Sequence, residues 1–271
     1  MSRRAGGLLE PTGLRAGDHI CWTYSSDEDH RRVLTAFVAE GLQAGERVAY
    51  FAPRGGEHRL IGYLASVGVD VASLITEGRL IVGGAEGSYS PNGTFDADAS
   101  LRGFRSMAGQ AVSDGYTGLR VAGENGWILA DPRYHFHWPS YEVRVDRMIS
   151  ELPLIGMCSF DLRECGGEIM TLMDAVHPLQ LGVPAGEAMF HLHADRSSGV
   201  VLDGELDFAN SATVRSLFEA LSHDDPVRRI DLSGLSFADV NAMKAIAEGV
   251  GAMTAAGETV RVEGAPSWFT R

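Results

Sequence analysis

The chain has 271 residues, a length that suits one large domain or two ordinary ones. At 45% hydrophobic and 22% charged it has the composition of a globular protein with enough apolar residues for a core, which excludes a largely disordered chain. Asp+Glu 36 against Lys+Arg 23 leaves a formal charge of -13, which argues against a broad nucleic-acid or anionic-membrane surface, since both need clustered cations.

In chain order, hydrophobic pattern and turn signals predict alternating strands and helices. The apolar run His19–Tyr24 reads as a strand. Asp29–Gln43 follows as a helix, with Val33, Leu34, Phe37, Val38, Gly41 and Leu42 at helical spacing and Ser25, Ser26 and Asp27 available to cap it. A second strand, Arg47–Ala52, ends at Pro53-Arg54-Gly55-Gly56, and a helix covers Glu57–Val67. Further strands are predicted at Arg79–Val82, Gly118–Ala122 and Leu154–Phe160, with helices near Asp96–Ser113 and Ser140–Glu151. Near-continuous apolar strands in a βαβ rhythm describe a parallel sheet covered on both faces. Gly182–Gly186 then reads as a linker.

After it the rhythm restarts at smaller scale. Strands are expected at Phe190–Ala194, Gly199–Leu202, Arg228–Leu232 and Thr259–Glu263, and helices at Phe208–Ser222 and Val240–Ala255. The expectation is two α/β domains: residues 1–182, a linker at 183–188, and residues 189–271. Cys21, Cys158 and Cys165 make no disulfide framework and read as buried thiols. No window reaches the ~18 consecutive apolar residues of a membrane span, and MSRRAGGLLEPTGLRAGDH has no apolar signal core. A soluble cytoplasmic protein is expected.

The stretches GDHICWTYSSDEDHRRVLTAFVAEGLQAGERVAYF, SYSPNGTFDADASL, GYTGLRVAGENGWIL, YEVRVDRMI, MCSFD and VHPLQL resemble the MEDS domain, the sensory domain of methanogen and methylotroph regulators. The resemblance runs over nearly all of residues 14–182. It implies a fold like the KaiC/RecA ATPases in a sensor that has lost the ATPase machinery. The residues agree with that loss. A phosphate-binding loop needs glycines, a lysine and a Ser/Thr. The first strand-to-helix turn, Tyr24 to His30, has neither glycine nor lysine and carries three carboxylates that a helix N-terminus favours.

In open α/β sheets ligands bind beyond the carboxyl ends of the strands. The candidate ligand residues there are Tyr24, Arg54, Gly55, Gly56, Gly123, Glu124, Asn125, Trp127, Asp161 and Arg163. Tyr89, in the SYSPNG loop, matches a characteristic family position. Arg54 beside two glycines suits a phosphate or carboxylate. Trp127 or Tyr24 suits a ring or apolar group. Glu124 suits a hydroxyl or amine. Glu142 and Arg144 read as a surface or inter-helix pair. The pairs His135/His137 and His191/His193 lack a third ligand at a familiar metal spacing, so no metal or cofactor is expected.

The tail, through GVVLDGELDFANSATVRSLFEAL, RRIDLSGLSFADVNAMKAIAEGVGAM and TAAGETVRVEGAP, resembles a STAS domain, the anti-sigma-factor-antagonist fold. Partner-switching members carry Asp-Ser-Ser/Thr-Gly at the start of the second helix and are phosphorylated on the serine. Here that stretch is Asp239-Val240-Asn241-Ala242, and Val240 has no hydroxyl. The resemblance places a partner surface at Ser236, Asp239, Val240, Asn241 and Met243. The end at Pro266–Arg271 is short of the usual final helix, as in a truncated or minimal domain, with apolar Trp268 and Phe269.

Together these imply a regulator that senses a small metabolite (a nucleotide, a nucleotide-sugar or a hydrocarbon derivative) and acts on an anti-sigma factor or sigma factor. Two alternatives stand beside it: a nucleotide-processing enzyme of degenerate RecA/KaiC type, and a scaffold without ligand. No DNA or membrane partner is expected.

Overall fold

The computed structural model describes residues 4–85, 89, 95–129, 131–135, 137–182, 189–195, 199–224 and 227–265. The elements in chain order are β1 (Gly6–Leu8), β2 (His19–Tyr24), α1 (Asp27–Gln43), β3 (Arg47–Ala52), α2 (Glu57–Ser66), α3 (Val71–Thr76), β4 (Leu80–Gly84), α4 (Ala97–Ser113), β5 (Leu119–Glu124) and α5 (Gly126–Leu129). After these come α6 (Trp138–Glu151), β6 (Leu154–Asp161), α7 (Glu168–Val176), β7 (Leu179–Gly182), β8 (Phe190–Ala194), β9 (Gly199–Leu206), α8 (Ser211–Asp224), β10 (Arg229–Ala238), α9 (Val240–Ala255) and β11 (Arg261–Glu263). The chain divides into two compact units, one of Met1–Ala130, Glu151–Cys165 and Leu179–Val183, the other of Asp131–Ser150, Gly166–Pro178 and Pro184–Arg271. Linker residues 183–188, the SYSPNG loop apart from Tyr89, and Trp268 with Phe269 lie outside the described residues.

The first unit is built on a seven-stranded sheet of order β1-β7-β2-β6-β5-β3-β4, and every pairing is parallel. Every residue of β2, β5 and β6 is buried, as a strand covered on both faces requires. Helix α1 packs its apolar stripe, Val33, Leu34, Phe37 and Val38, toward β3 and β5. It starts two residues before the predicted point, because Ser26 Oγ accepts the Asp29 N–H at 3.1 Å and Asp27, Glu28 and Asp29 fill the first turn. Under α1, Arg120 of β5 is 1% exposed yet paired with Glu40 at 2.7 Å and Glu46 at 2.5 Å, so its charge is compensated.

The second unit carries a four-stranded sheet, β11-β10-β9-β8, parallel except for β8 against β9. Phe190, Leu192, Val200, Leu202, Ile230 and Leu232 supply the sheet side of its core; Val214, Leu217, Phe218, Leu221, Ala245 and Ile246 supply the side from α8 and α9. Those two helices approach closely because residue 249 is glycine: a Cβ there would lie 2.4 Å from Phe218 Cβ. Helix α7 packs on β8 and α8, and Asp146 of α6 accepts the Ala194 N–H at 2.8 Å.

Several expectations are corrected. Strand β10 runs to Ala238, well past Leu232, because its pairing with β9 continues to Leu206 through register shifts between Asp231 and Gly234 and between Leu235 and Phe237. β1, α3, α5, α7 and β7 had no sequence counterpart. Helix α7 is nine residues long, and although Glu168, Thr171 and Asp174 recur at helical spacing, fewer than three turns give a weak pattern. Glu142 is not a surface residue: it is fully buried in the second unit, with Oε2 3.6 Å from His177 Nε2. His135 and His137 lie between a 3-10 turn (Pro132–Tyr134) and α6. His191 and His193 do share one face of β8, and both reach Asp203, at 3.3 and 2.9 Å.

Candidate functional site

Strands β2, β5 and β6 end at one edge of the first sheet. Tyr24 is the register partner of Asp161, and Glu124 that of Ser159. From β2 the chain crosses to β3, beyond β6 and β5; from β6 it returns to β7 on the other side of β2. The connections from β2 and β6 therefore run in opposite directions, the kind of switch point at which open α/β sheets leave a crevice above the carboxyl ends. A cavity of about 50 Å³ lies there, walled by Tyr24, Arg59, Glu124, Trp127, Ser159 and Asp161, with Pro53, Gly126 and Glu164 completing it.

Glu124 anchors the site. It is 5% exposed, and three donors converge on its carboxylate. Tyr50 donates its hydroxyl to Oε1, His30 Nε2 lies 2.9 Å from the same oxygen, and an Arg59 guanidinium nitrogen lies 2.5 Å from Oε2. With the His30 proton on Nε2, Nδ1 accepts from the Tyr63 hydroxyl at 3.3 Å. His30 also stacks on Trp22, ring centroids 5.5 Å apart, and touches Tyr24 at 4.6 Å. Burial, then the Glu124 charge, pushes the Tyr24 and Tyr50 hydroxyls far above the ordinary phenol range, so both are donors at any physiological pH.

On the opposite wall Asp161 is held below the usual carboxylate range, first by the Arg163 side-chain hydrogen bonds, at 2.9 and 2.6 Å. Arg163 also bridges to Asp27 at 2.8 Å. Cys165 is buried, and burial with Glu164 and Asp161 nearby pushes its thiol up to about 11, so it is an inert thiol.

The turn after β5 differs from the rest of the site. Asn125 donates its backbone N–H to Ser159 O at 3.0 Å, and Ser159 Oγ donates to Gly123 O at 3.1 Å, which ties the turn to β6. A Cβ on Gly123 would lie 2.6 Å from the Tyr89 hydroxyl and 3.3 Å from Asn125 Oδ1, so a side chain there would displace the Tyr89 hydroxyl. The Tyr89 and Trp127 rings lie 6.4 Å apart.

Of the predicted ligand residues, Tyr24, Glu124, Trp127 and Asp161 wall the cavity together; Gly123, Asn125 and Tyr89 cluster beside Trp127, and Arg163 backs Asp161. Arg54 sits exposed on the turn after β3, and the Gly55 N–H is taken by Glu57 at 2.7 Å. The guanidinium at the cavity is that of Arg59, in the first turns of α2. Sequence reasoning missed it, along with His30, Tyr50, Tyr63 and Ser159. A signal existed for His30: it lies on the apolar face of α1, three residues before Val33.

In the second unit Asp239 caps α9, accepting the Ala242 N–H at 2.9 Å. Ser236 Oγ donates to Gly204 O at 3.1 Å, Asn241 is exposed and Met243 half-buried. Val240 is 78% exposed, and Phe208 and Phe237 beside it are 77% and 49% exposed. Phe237 lies near the end of β10 and Phe208 two residues past the end of β9, and the two ends adjoin, since the Asp239 N–H bonds to Leu206 O.

The family model of the "MEthanogen/methylotroph, DcmR Sensory domain" matches residues 18–178. The chain belongs to the MEDS family. A second model, "Mlab, STAS domain", matches residues 191–271. The chain is thus a MEDS sensory domain followed by a STAS domain, an arrangement of signalling type. No curated protein matches the chain. Among solved structures, the DUF1998 helicase MrfA bound to DNA and AMPPNP is similar at 10% identity over 88% of this chain and 34% of that one, with TM-score 0.36. A second MrfA structure is similar at 11% identity over 87% of this chain and 36% of that one, with the same TM-score of 0.36. The chain therefore spans about a third of the helicase's length, and similarity at that level bears on no function. No described helix of this MEDS–STAS chain is long and apolar enough to cross a membrane.

Proposed function

We propose that the chain is a ligand-responsive, non-enzymatic regulator. The MEDS part holds a small metabolite at the carboxyl ends of β2, β5 and β6, and its occupancy controls how the STAS part engages an anti-sigma factor or sigma factor. The reading is carried by one observation: a family described as sensory has a polar, aromatic cavity at a strand-end crevice, in a chain that also carries a STAS domain. Val240 supports it, because a domain without the phosphoacceptor hydroxyl needs another input. The exposed Phe208, Phe237 and Val240, flanked by Ser236, Asp239, Asn241 and Met243, suit a protein partner.

Size bears on the ligand. Drug-sized ligands occupy roughly 300–1,000 Å³. A cavity of about 50 Å³ favours a molecule of a few heavy atoms over a nucleotide or nucleotide-sugar. Hydrolysis is disfavoured because the turn from Tyr24 to His30 offers no lysine for phosphate and carries Asp27, Glu28 and Asp29. The test is binding of the full chain to the host's anti-sigma and sigma factors, with and without a small-molecule extract. Binding that the extract changes supports the reading, and absence of any sigma-system interaction in either condition refutes it.

A further inference from the structure

Taking the strand-end crevice as the ligand site proposed above, on which the inference rests, we infer that helices α6 and α7 pass its occupancy to the STAS sheet. Asp146 is the contact through which they hold that sheet.

Both helices lie inside the residues matched by the MEDS model, yet both, Glu151 apart, belong to the compact unit that holds the STAS sheet. Each also continues the chain from a segment of the cavity wall. The chain leaving the wall at Trp127 runs through α5 into α6, and the chain leaving it at Glu164 runs into α7.

In the second unit α6 grips the turn between β8 and β9. Asp146 is fully buried, and its Oδ2 accepts the Ala194 N–H at 2.8 Å. The next residue, Arg147, donates from Nη2 to Gly199 O at 3.4 Å. Ala194 ends β8 and Gly199 begins β9, so the two side chains take both sides of the turn. β8 is an edge strand, and the Asp195 N–H bonds to Gly199 O, which turns the Ala194 N–H away from β9. Water satisfies such an N–H at an open edge. Protecting the edge from pairing needs only a covering helix. A buried carboxylate is costly unless it is paired. The sheet by itself therefore does not ask for Asp146, which serves as a link between MEDS helix and STAS strand.

Helix α7 acts on the same strand and beyond it. It packs on β8 and on α8, and its Met170, Met173 and Val176 are fully buried. Helix α8 begins at Ser211, whose Oγ donates to Phe208 O at 3.0 Å. The exposed Phe208 thus sits at the start of the helix against which α7 packs. Packed helices shift between discrete arrangements and do not deform continuously. A ligand that favours one arrangement of α6 and α7 therefore reaches both the β8–β9 turn and the first turn of α8.

The experiment measures binding of the full chain to the host's anti-sigma and sigma factors, with and without a small-molecule extract of the host, for wild type and Asp146→Ala. Hydrogen exchange at the Ala194 amide of the wild type is followed alongside. The extract should change wild-type affinity about fivefold or more. Asp146→Ala leaves Phe208, Phe237 and Val240 in place, so it should still bind, with a response to the extract below about twofold. Ala194 exchange in the wild type should change when the extract is added. An Asp146→Ala response equal to that of wild type overturns the inference and leaves the ligand-responsive regulator standing. That holds even where affinity falls equally in both conditions, as loss of a merely structural cover would give. Where Asp146→Ala does not fold, the wild-type exchange decides, and an Ala194 amide that ignores the extract overturns the inference. Wild-type partner binding that ignores the extract overturns both.

Discussion

His30 Nε2 lies 2.9 Å from Glu124 Oε1, joining the first turn of α1 to the end of β5 across 94 positions of sequence. The same carboxylate takes Arg59 from α2 and Tyr50 from β3, so one side chain ties two helices and two strands at the mouth of the crevice. A group with that many partners is both part of the cavity wall and a structural lock. A ligand that competed for one of its donors would loosen an α-helix from the sheet.

Glu124→Ala should therefore destabilise the chain by about 3–5 kcal/mol, because it leaves a buried histidine and tyrosine unpaired and strips Arg59 of its counter-charge. Glu124→Gln keeps the shape and should cost less, about 1–3 kcal/mol. Urea denaturation measures both. A loss below 1 kcal/mol for the alanine variant would contradict the lock.

Gly249→Ala sets two effects against each other. Alanine raises helix propensity by about 1 kcal/mol over glycine. The new Cβ would meet Phe218 Cβ at 2.4 Å, and overpacking of this kind costs about 1–3 kcal/mol. Atoms that close to the backbone cannot swing away, so the clash should win. A lower urea midpoint is expected for Gly249→Ala, and an unchanged or higher one would show that α8 and α9 can part.

Asp203 predicts an acid limb. Burial alone would raise its carboxyl, but hydrogen bonds from His191 and His193 outweigh that and hold it well below the usual carboxylate value. A folded pKa lower than the unfolded one, near about 4, contributes stability that is fully present above that value. It is lost as pH falls through the folded one. Asp203→Asn should flatten the fall in stability below about pH 4, read by urea unfolding across pH. Identical acid limbs in the two proteins would refute the assignment.

Phe208→Ser and Phe237→Ser should leave stability within about 0.5 kcal/mol, since surface substitutions away from packed features are usually that mild. The same variants should lose binding to the sigma-system partner. Full binding by both would move the partner surface elsewhere.

The architecture was legible where burial leaves a simple pattern. All six residues of β2 and all eight of β6 are buried, and their sequences read as near-continuous apolar runs, with His19 and Thr23 the polar members of one and Ser159 and Asp161 of the other. The site was legible in part, for a related reason: residues at strand ends can be named once the strands are placed, which brought Tyr24, Glu124, Trp127 and Asp161 to the cavity. The rest depends on helix register in three dimensions. Arg54 and Arg59 both follow β3, and only the turn of α2 puts the second over Glu124 while leaving the first exposed. His30 was hidden by reading its segment as a missing phosphate loop. That the Asn125 side chain is unpaired among the described residues has no sequence signature, because it depends on what other elements fail to offer it.

The central claim is that the strand-end cavity holds a small molecule, and native mass spectrometry of the full chain isolated from its own host tests it most directly. The account predicts a small non-covalent adduct on the wild-type chain, absent from Glu124→Gln and Trp127→Ala. A bare wild-type mass, together with no stabilisation by any small molecule offered, would contradict it.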